Sequence, residues 1–158
     1  MTNEALQYLI GDWFPEPEAV KLQFSTEGPQ FLNVSIDPDQ LLVLMRFLKN
    51  TPETDFDYLF CLTGVDWGKE LGVIYHLEST THRHILVVRV TTPDRETPTL
   101  DTVSDLWRTA EFHEREVFDF FGIRFNGHPN MKRLFLTEDY VGYPLRKDFS
   151  DEVNMIVK

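Results

Sequence analysis

Val73-Ile74-Tyr75-His76-Leu77-Glu78-Ser79-Thr80-Thr81-His82-Arg83-His84-Ile85-Leu86-Val87-Val88-Arg89-Val90-Thr91 holds two apolar-rich runs of strand length, 73–78 and 85–91, on either side of a polar segment. Runs of this length with a polar connection read as a hairpin. A third run of the same character, 56–63, precedes it as a further strand. Nearer the start, residues 19–24 and 31–36 read as two strands joined by the turn Glu27-Gly28-Pro29, a second hairpin. Helical patterns are interspersed. Residues 3–10 read as a short helix stopped by Gly11. Asp37 followed by Pro38 reads as an N-cap with proline at the first helical position, ahead of the stripe Leu41, Leu42, Leu44, Met45 and Leu48 that covers the sheet. From Leu100 to Phe121 the spacing again predicts helix, with a break near Thr109 and a stop at Gly122. Mixed strands and helices of this kind predict an α+β domain: a mixed or antiparallel sheet covered by helices. The core is expected over residues 1–121, and residues 122–158, which lack a repeating apolar face, are expected to form an extended arm that packs on a partner.

The 158 residues carry 26 acidic and 15 basic side chains, a formal net charge of −11. That balance argues against nucleic acid, whose affinity for proteins comes from lysines and arginines that displace counterions, and against direct adhesion to anionic lipid. The longest apolar runs, 41–45 and 85–88, fall far short of the roughly 18 residues a membrane span needs. Any membrane association is therefore expected to be indirect. No export signal is read at the N-terminus. Cys61 is the single cysteine, so neither an internal disulfide nor a cluster ligated by several thiolates is expected.

The densest chemistry lies in residues 111–121. At 100° per residue, Trp107, Ala110, Val117, Phe118 and Phe121 share one stripe with Glu114 in its middle. A carboxylate buried there needs a partner, and Arg133 and Arg146 are the candidates the sequence offers. Glu111, Arg115 and Asp119 follow at i, i+4 spacing and read as a surface ladder. Phe112 and Phe120 point away from the main stripe and are suited to a partner. His113-Glu114 begins something like a metalloprotease helix, but position 117 is Val where the second histidine belongs, which weighs against a hydrolase built on that pair. His82 and His84 share one face of a strand or turn, and His128 reads as a turn residue with a satisfied ring. Gly64-Val65-Asp66-Trp67-Gly68 reads as a strand end running into a turn rather than a phosphate loop, and Cys61 as a small buried hydrophobe.

Glu114-Arg115-Glu116-Val117-Phe118-Asp119-Phe120-Phe121, followed after six residues by His128, resembles the signature of the C subunit family of respiratory complex I, the NADH-quinone oxidoreductase. The resemblance extends through Arg133-Leu134, Glu138-Asp139-Tyr140 and Pro144-Leu145-Arg146-Lys147-Asp148-Phe149, and upstream to Leu62-Thr63-Gly64-Val65-Asp66 and Val73-Ile74-Tyr75-His76-Leu77. Tyr143 stands where relatives often carry His. The resemblance implies a protein that binds no cofactor and is not itself catalytic, in a complex that contains iron-sulfur clusters and quinone and works with FMN and NADH. It implies contact with the D subunit of that complex, with the B and I subunits nearby, on the cytoplasmic side of the inner membrane as a peripheral component. Glu114, Arg115, Glu116 and Asp119 would then be the signature helix. Phe112, Phe120, His128, Arg133, Arg146, Lys147 and Asp148 would hold a partner or lock the arm. Energy-converting hydrogenases, formate hydrogenlyases and photosynthetic NDH-1 complexes contain related subunits, and a stand-alone binding module sharing the fold is the remaining alternative.

Overall fold

The computed structural model describes residues 2–25 and 31–149. Helix α1, Asn3–Trp13, opens on Thr2, whose hydroxyl accepts the Ala5 N–H at 3.1 Å and so satisfies one of the orphan donors of a helix start. The expected stop at Gly11 is overridden. Trp13 stacks on Phe47 at 5.1 Å between ring centroids, and Phe14 meets the same ring edge-on at 6.4 Å. Packing of this kind outweighs the roughly 1 kcal/mol that a glycine costs inside a helix.

Strand β1 is Gln23–Ser25, shorter than expected, because residues 17–21 are turns and Lys21 has φ of 55°. It pairs antiparallel with β2, Leu32–Ser35; the Glu27-Gly28-Pro29 turn lies outside the described residues. Asp37 caps as expected, its carboxylate accepting the Asp39 N–H at 3.1 Å. A 3-10 turn, Pro38–Gln40, then feeds helix α2, Leu41–Asn50. Strands β3, Tyr58–Asp66, β4, Leu71–Ser79, and β5, His84–Thr92, follow as an antiparallel meander.

The five strands stand in the order β1-β2-β5-β4-β3, all antiparallel except β2 against β5, where Val34 lies opposite Val88 in a parallel pair. Side chains alternate across the sheet. Leu32 and Val34, Val73, Tyr75 and Leu77, and Leu86, Val88 and Val90 all turn to one face and are buried there with Leu6 and Ile10 of α1 and Leu41, Leu44, Met45 and Leu48 of α2.

The helical reading of residues 100–121 holds only from Ala110. Thr99–Asp101 is a strand, β6; residues 104–106 and 108–109 are turns; and helix α3 is Ala110–Phe121. Leu100, Val103, Trp107 and Ala110 are all buried, so their spacing does report burial, but through a strand and turns rather than a helix. Gly122 ends α3 with φ of 79°, donating its N–H to the Phe118 carbonyl at 2.9 Å, the left-handed C-cap that glycine favours. Past it, where the sequence predicts no regular structure, β7, Arg124–Asn126, pairs parallel with β6. The fold is α+β with a mixed sheet and helices.

Candidate functional site

Helix α3 and residues 131–149 form one polar and aromatic assembly, with Asp119 at its centre. Asp119 is fully buried and its Oδ2 accepts three successive backbone N–H groups, Leu134 at 3.3 Å, Phe135 at 2.7 Å and Leu136 at 3.0 Å. Arg133 closes the other side, one guanidinium nitrogen donating to Asp119 Oδ1 at 3.1 Å and to its carbonyl at 2.8 Å. The second nitrogen donates to the carbonyls of Tyr140 at 3.1 Å and Gly142 at 2.8 Å. The same guanidinium lies over the rings of Tyr140 and Tyr143, 5.5 and 5.0 Å from their centroids. Burial works to raise the Asp119 carboxyl, but the three N–H donors and Arg133 outweigh it and hold the group below the ordinary aspartate value.

Arg115 does not join a surface ladder. It donates to the carbonyls of Lys132 at 3.1 Å and Arg133 at 2.9 Å, so Arg115 and Asp119 are both spent on the arm. Glu116 is exposed. Glu114 is fully buried, and its partner is neither Arg133 nor Arg146, the two that the sequence offers. Its Oε2 accepts the Val103 N–H at 2.9 Å, its Oε1 meets the Thr102 hydroxyl, and His128 Nε2 stands 3.9 Å away. Arg133 is held instead by Asp119, more than a turn further along the helix. The His128 ring is satisfied on both nitrogens, by the Glu111 carbonyl at 2.8 Å and the Asn130 N–H at 2.9 Å.

The end of the arm is fastened to the sheet. Asp66, the last residue of β3, accepts a bidentate pair from Arg95 at 2.7 and 2.8 Å, the Gly68 N–H at 2.8 Å and the Lys147 N–H at 2.8 Å. Arg146 forms its own bidentate pair with Asp148, both bonds 2.9 Å, and Arg95 bridges to the same carboxylate at 3.3 Å. The Arg95 guanidinium holds Asp66 well below the usual carboxylate range, with the backbone donors adding to it. Lys147 contributes its backbone while its side chain stays exposed. Asp66 and Arg95 are the functional residues that sequence reasoning missed. The only local sign was an acid on the inward side of a strand end.

Several apolar side chains of α3 and the arm stay exposed. Phe120 stacks on Phe135 at 5.9 Å. Phe135 is 66% exposed, Val141 89%, Leu145 57% and Phe112 59%. Phe135 and Leu145 both lie against Phe120, the first through its ring and the second through its backbone N–H to the Phe120 carbonyl at 3.0 Å. Among the described residues, no group of three or more His, Cys, Asp or Glu side chains could hold a metal ion, and no helix is long and apolar enough to cross a membrane.

A sequence profile described as "Respiratory-chain NADH dehydrogenase, 30 Kd subunit" matches residues 34–153, from β2 through the arm. The chain belongs to this family. The match takes in every residue of the Asp119 and Asp66 assemblies. Among relatives of the 30 Kd subunit, the chain is 60% identical over 110 residues to the C/D subunit of NADH-quinone oxidoreductase from Phocaeicola vulgatus, a match that covers 69% of this chain and 21% of that protein. It is 42% identical over 127 residues to the C subunit of NADH-quinone oxidoreductase from Roseiflexus castenholzii, covering 78% of this chain and 72% of that one. The chain thus spans about a fifth of the length of the first C/D relative. Its fold is similar to that of a chain in the structure of a membrane-bound sulfane sulfur reductase, an archaeal respiratory membrane complex, with a TM-score of 0.78, 27% identity and coverage of 95% of this chain and 86% of that one. In this 30 Kd-type chain Tyr143 packs its ring against Gly122 and Phe118.

Proposed function

We propose that the chain is a cofactor-free structural subunit of the hydrophilic arm of a proton-translocating NADH-quinone oxidoreductase. It holds the quinone-site D subunit, close to the B and I subunits, on the cytoplasmic side of the membrane. Electron transfer through FMN, iron-sulfur clusters and quinone, and the coupled translocation, belong to the other subunits. One observation carries the reading. Arg115, Asp119 and Arg133 of the signature helix and arm are satisfied internally, whereas Phe112, Phe135, Val141 and Leu145 are exposed among the described residues. Polar residues converging on a vacant pocket would suggest chemistry; here they fix a shape and leave an apolar surface to be covered. The C/D relatives support the choice of partner, since their name joins the two subunits in one protein.

A second reading has one observation in its favour, the likeness to a chain of the sulfane sulfur reductase complex. It keeps the supporting role and changes the donor and acceptor. Affinity purification of the tagged chain from gently solubilised native membranes, with identification of the co-isolated proteins, tests both. The B, D and I subunits are expected with it, and the presence or absence of NADH-oxidising subunits separates the two readings. Phe135→Asp with Leu145→Asp is expected to reduce recovery of the D subunit by more than tenfold while leaving the far-UV spectrum of the chain unchanged. Recovery of the unmodified chain alone and soluble would overturn the proposal.

A further inference from the structure

The joint between α3 and the β6–β7 pair contains a carboxyl group that neither the Asp119 clamp nor the outer face uses. Glu114 is fully buried, and among the described residues no lysine or arginine forms an ion pair with it. The groups facing it from each packed element are few. From the segment after β6 come Thr102 and Val103, with Asp105 adding a negative charge. From β4 comes Tyr75, a fully buried phenol whose hydroxyl has no hydrogen-bond partner among the described residues, with Asp101 of β6 acting on it as well. Arg46 of α2 lines a cavity of about 230 Å³ with Asp101, Thr102 and Asp105. From the loop after β7 comes His128, 3.9 Å away.

His128 does not supply a positive charge in this arrangement. Its Nδ1 accepts the Asn130 N–H at 2.9 Å, so the ring proton sits on Nε2 and is donated to the Glu111 carbonyl at 2.8 Å. An ionised Glu114 would thus be a buried charge without a counter-ion, an arrangement that proteins avoid by keeping the proton. The neighbouring hydroxyls accommodate the neutral acid. Thr102 Oγ1 accepts the Ser104 N–H at 3.0 Å and lies 2.8 Å from Ser104 Oγ, to which its single proton can go. The contact between Thr102 and Glu114 Oε1 is then made with the proton of the acid, while Oε2 accepts from Val103. A chain of hydroxyls leads from the buried acid through Thr102 to the half-buried Ser104.

We propose that Glu114 is a proton site built into the fold: it stands as a neutral acid donating to Thr102, and loss of that proton loosens the joint between α3 and the β6–β7 pair. Burial pushes this carboxyl up to about 7, and the Val103 N–H, which favours the ionised form, only partly opposes it. The folded chain therefore holds a proton that the unfolded chain releases from about pH 4.5 upward, and stability falls as pH rises through that window. The test uses the full chain and two readouts. Infrared difference spectra should show a protonated-carboxyl band at about pH 5.5 that is lost by about pH 8.5 and is absent from Glu114→Gln. In denaturant titrations the unfolding equilibrium constant should rise about tenfold per pH unit across the window, relative to Glu114→Gln, whose amide can make the same two hydrogen bonds without titrating. The difference between the two proteins removes the contribution of the histidines. The absence of a protonated-carboxyl band lost between about pH 5.5 and about pH 8.5 would overturn the proposal, even if Glu114→Gln failed to fold. So would parallel pH profiles for the two proteins.

Discussion

Glu114 and Asp119 are both acids with no exposed surface on one helix, yet their surroundings drive them in opposite directions. Asp119 meets three N–H donors and a guanidinium; Glu114 meets one N–H, a hydroxyl and a neutral imidazole. The linkage signs follow. Asp119 has its folded value lowered below 3.8, so its contribution is fully present above that value and is lost as pH falls through the folded value. Glu114, raised from 4.5 to about 7, weakens the fold as pH climbs between those points. Stability should peak between the two windows. Asp119→Ala leaves Arg133, whose side chain is 9% exposed, without its carboxylate, and is expected to cost about 3–5 kcal/mol, the range for breaking a buried pair. Urea titration at neutral pH measures it, and a loss below about 1 kcal/mol would mean that Arg133 finds other acceptors.

At the level of elements, close approach of backbone and ring ties α3 to the sheet and the arm to α3. A Cβ on Gly64 of β3 would come within 2.5 Å of the Phe121 ring, and one on Gly122 within 2.7 Å of the Tyr143 ring. Gly64→Ala is expected to destabilise by about 1–3 kcal/mol through overpacking. Gly122→Ala should cost at least as much, because φ of 79° is strained for alanine as well. Thermal denaturation of the two variants checks the order. The strands were legible where the pattern was local. The β4–β5 hairpin and the α2 stripe follow from period 2 and period 3.6 within a few residues. The segment 100–109 was not, because Leu100 becomes strand only by pairing with Phe125, on the far side of α3. The site divided the same way. The residues of α3 stood out as a patterned run of charge among aromatics. Asp66 meets Arg95 and Lys147 only in three dimensions, across 81 residues in the case of Lys147, and nothing in the spacing points to it.

Seen whole, the described residues form a five-stranded sheet, the β6–β7 pair and three helices, with Arg115 and Asp119 of α3 turned inward to hold residues 131–149 in place. Mutations in the clamp and on the outer face should separate accordingly: the first kind lowers the stability of the chain itself, the second its association.

The sheet order has a consequence in time. The meander β3-β4-β5 closes through neighbouring segments, whereas β2 finds its place only against β5, pairing Leu32 with Leu86 and Val34 with Val88. Parallel pairings across such separations are slow, because loop closure must be met before contacts reward it. During synthesis the parallel edge of β2 must therefore wait until residues 86–89 have been made. In stopped-flow refolding, Val73→Ala in the meander is expected to slow folding, while Val34→Ala chiefly speeds unfolding. Equal effects on folding would mean that the parallel seam between β2 and β5 already forms in the transition state.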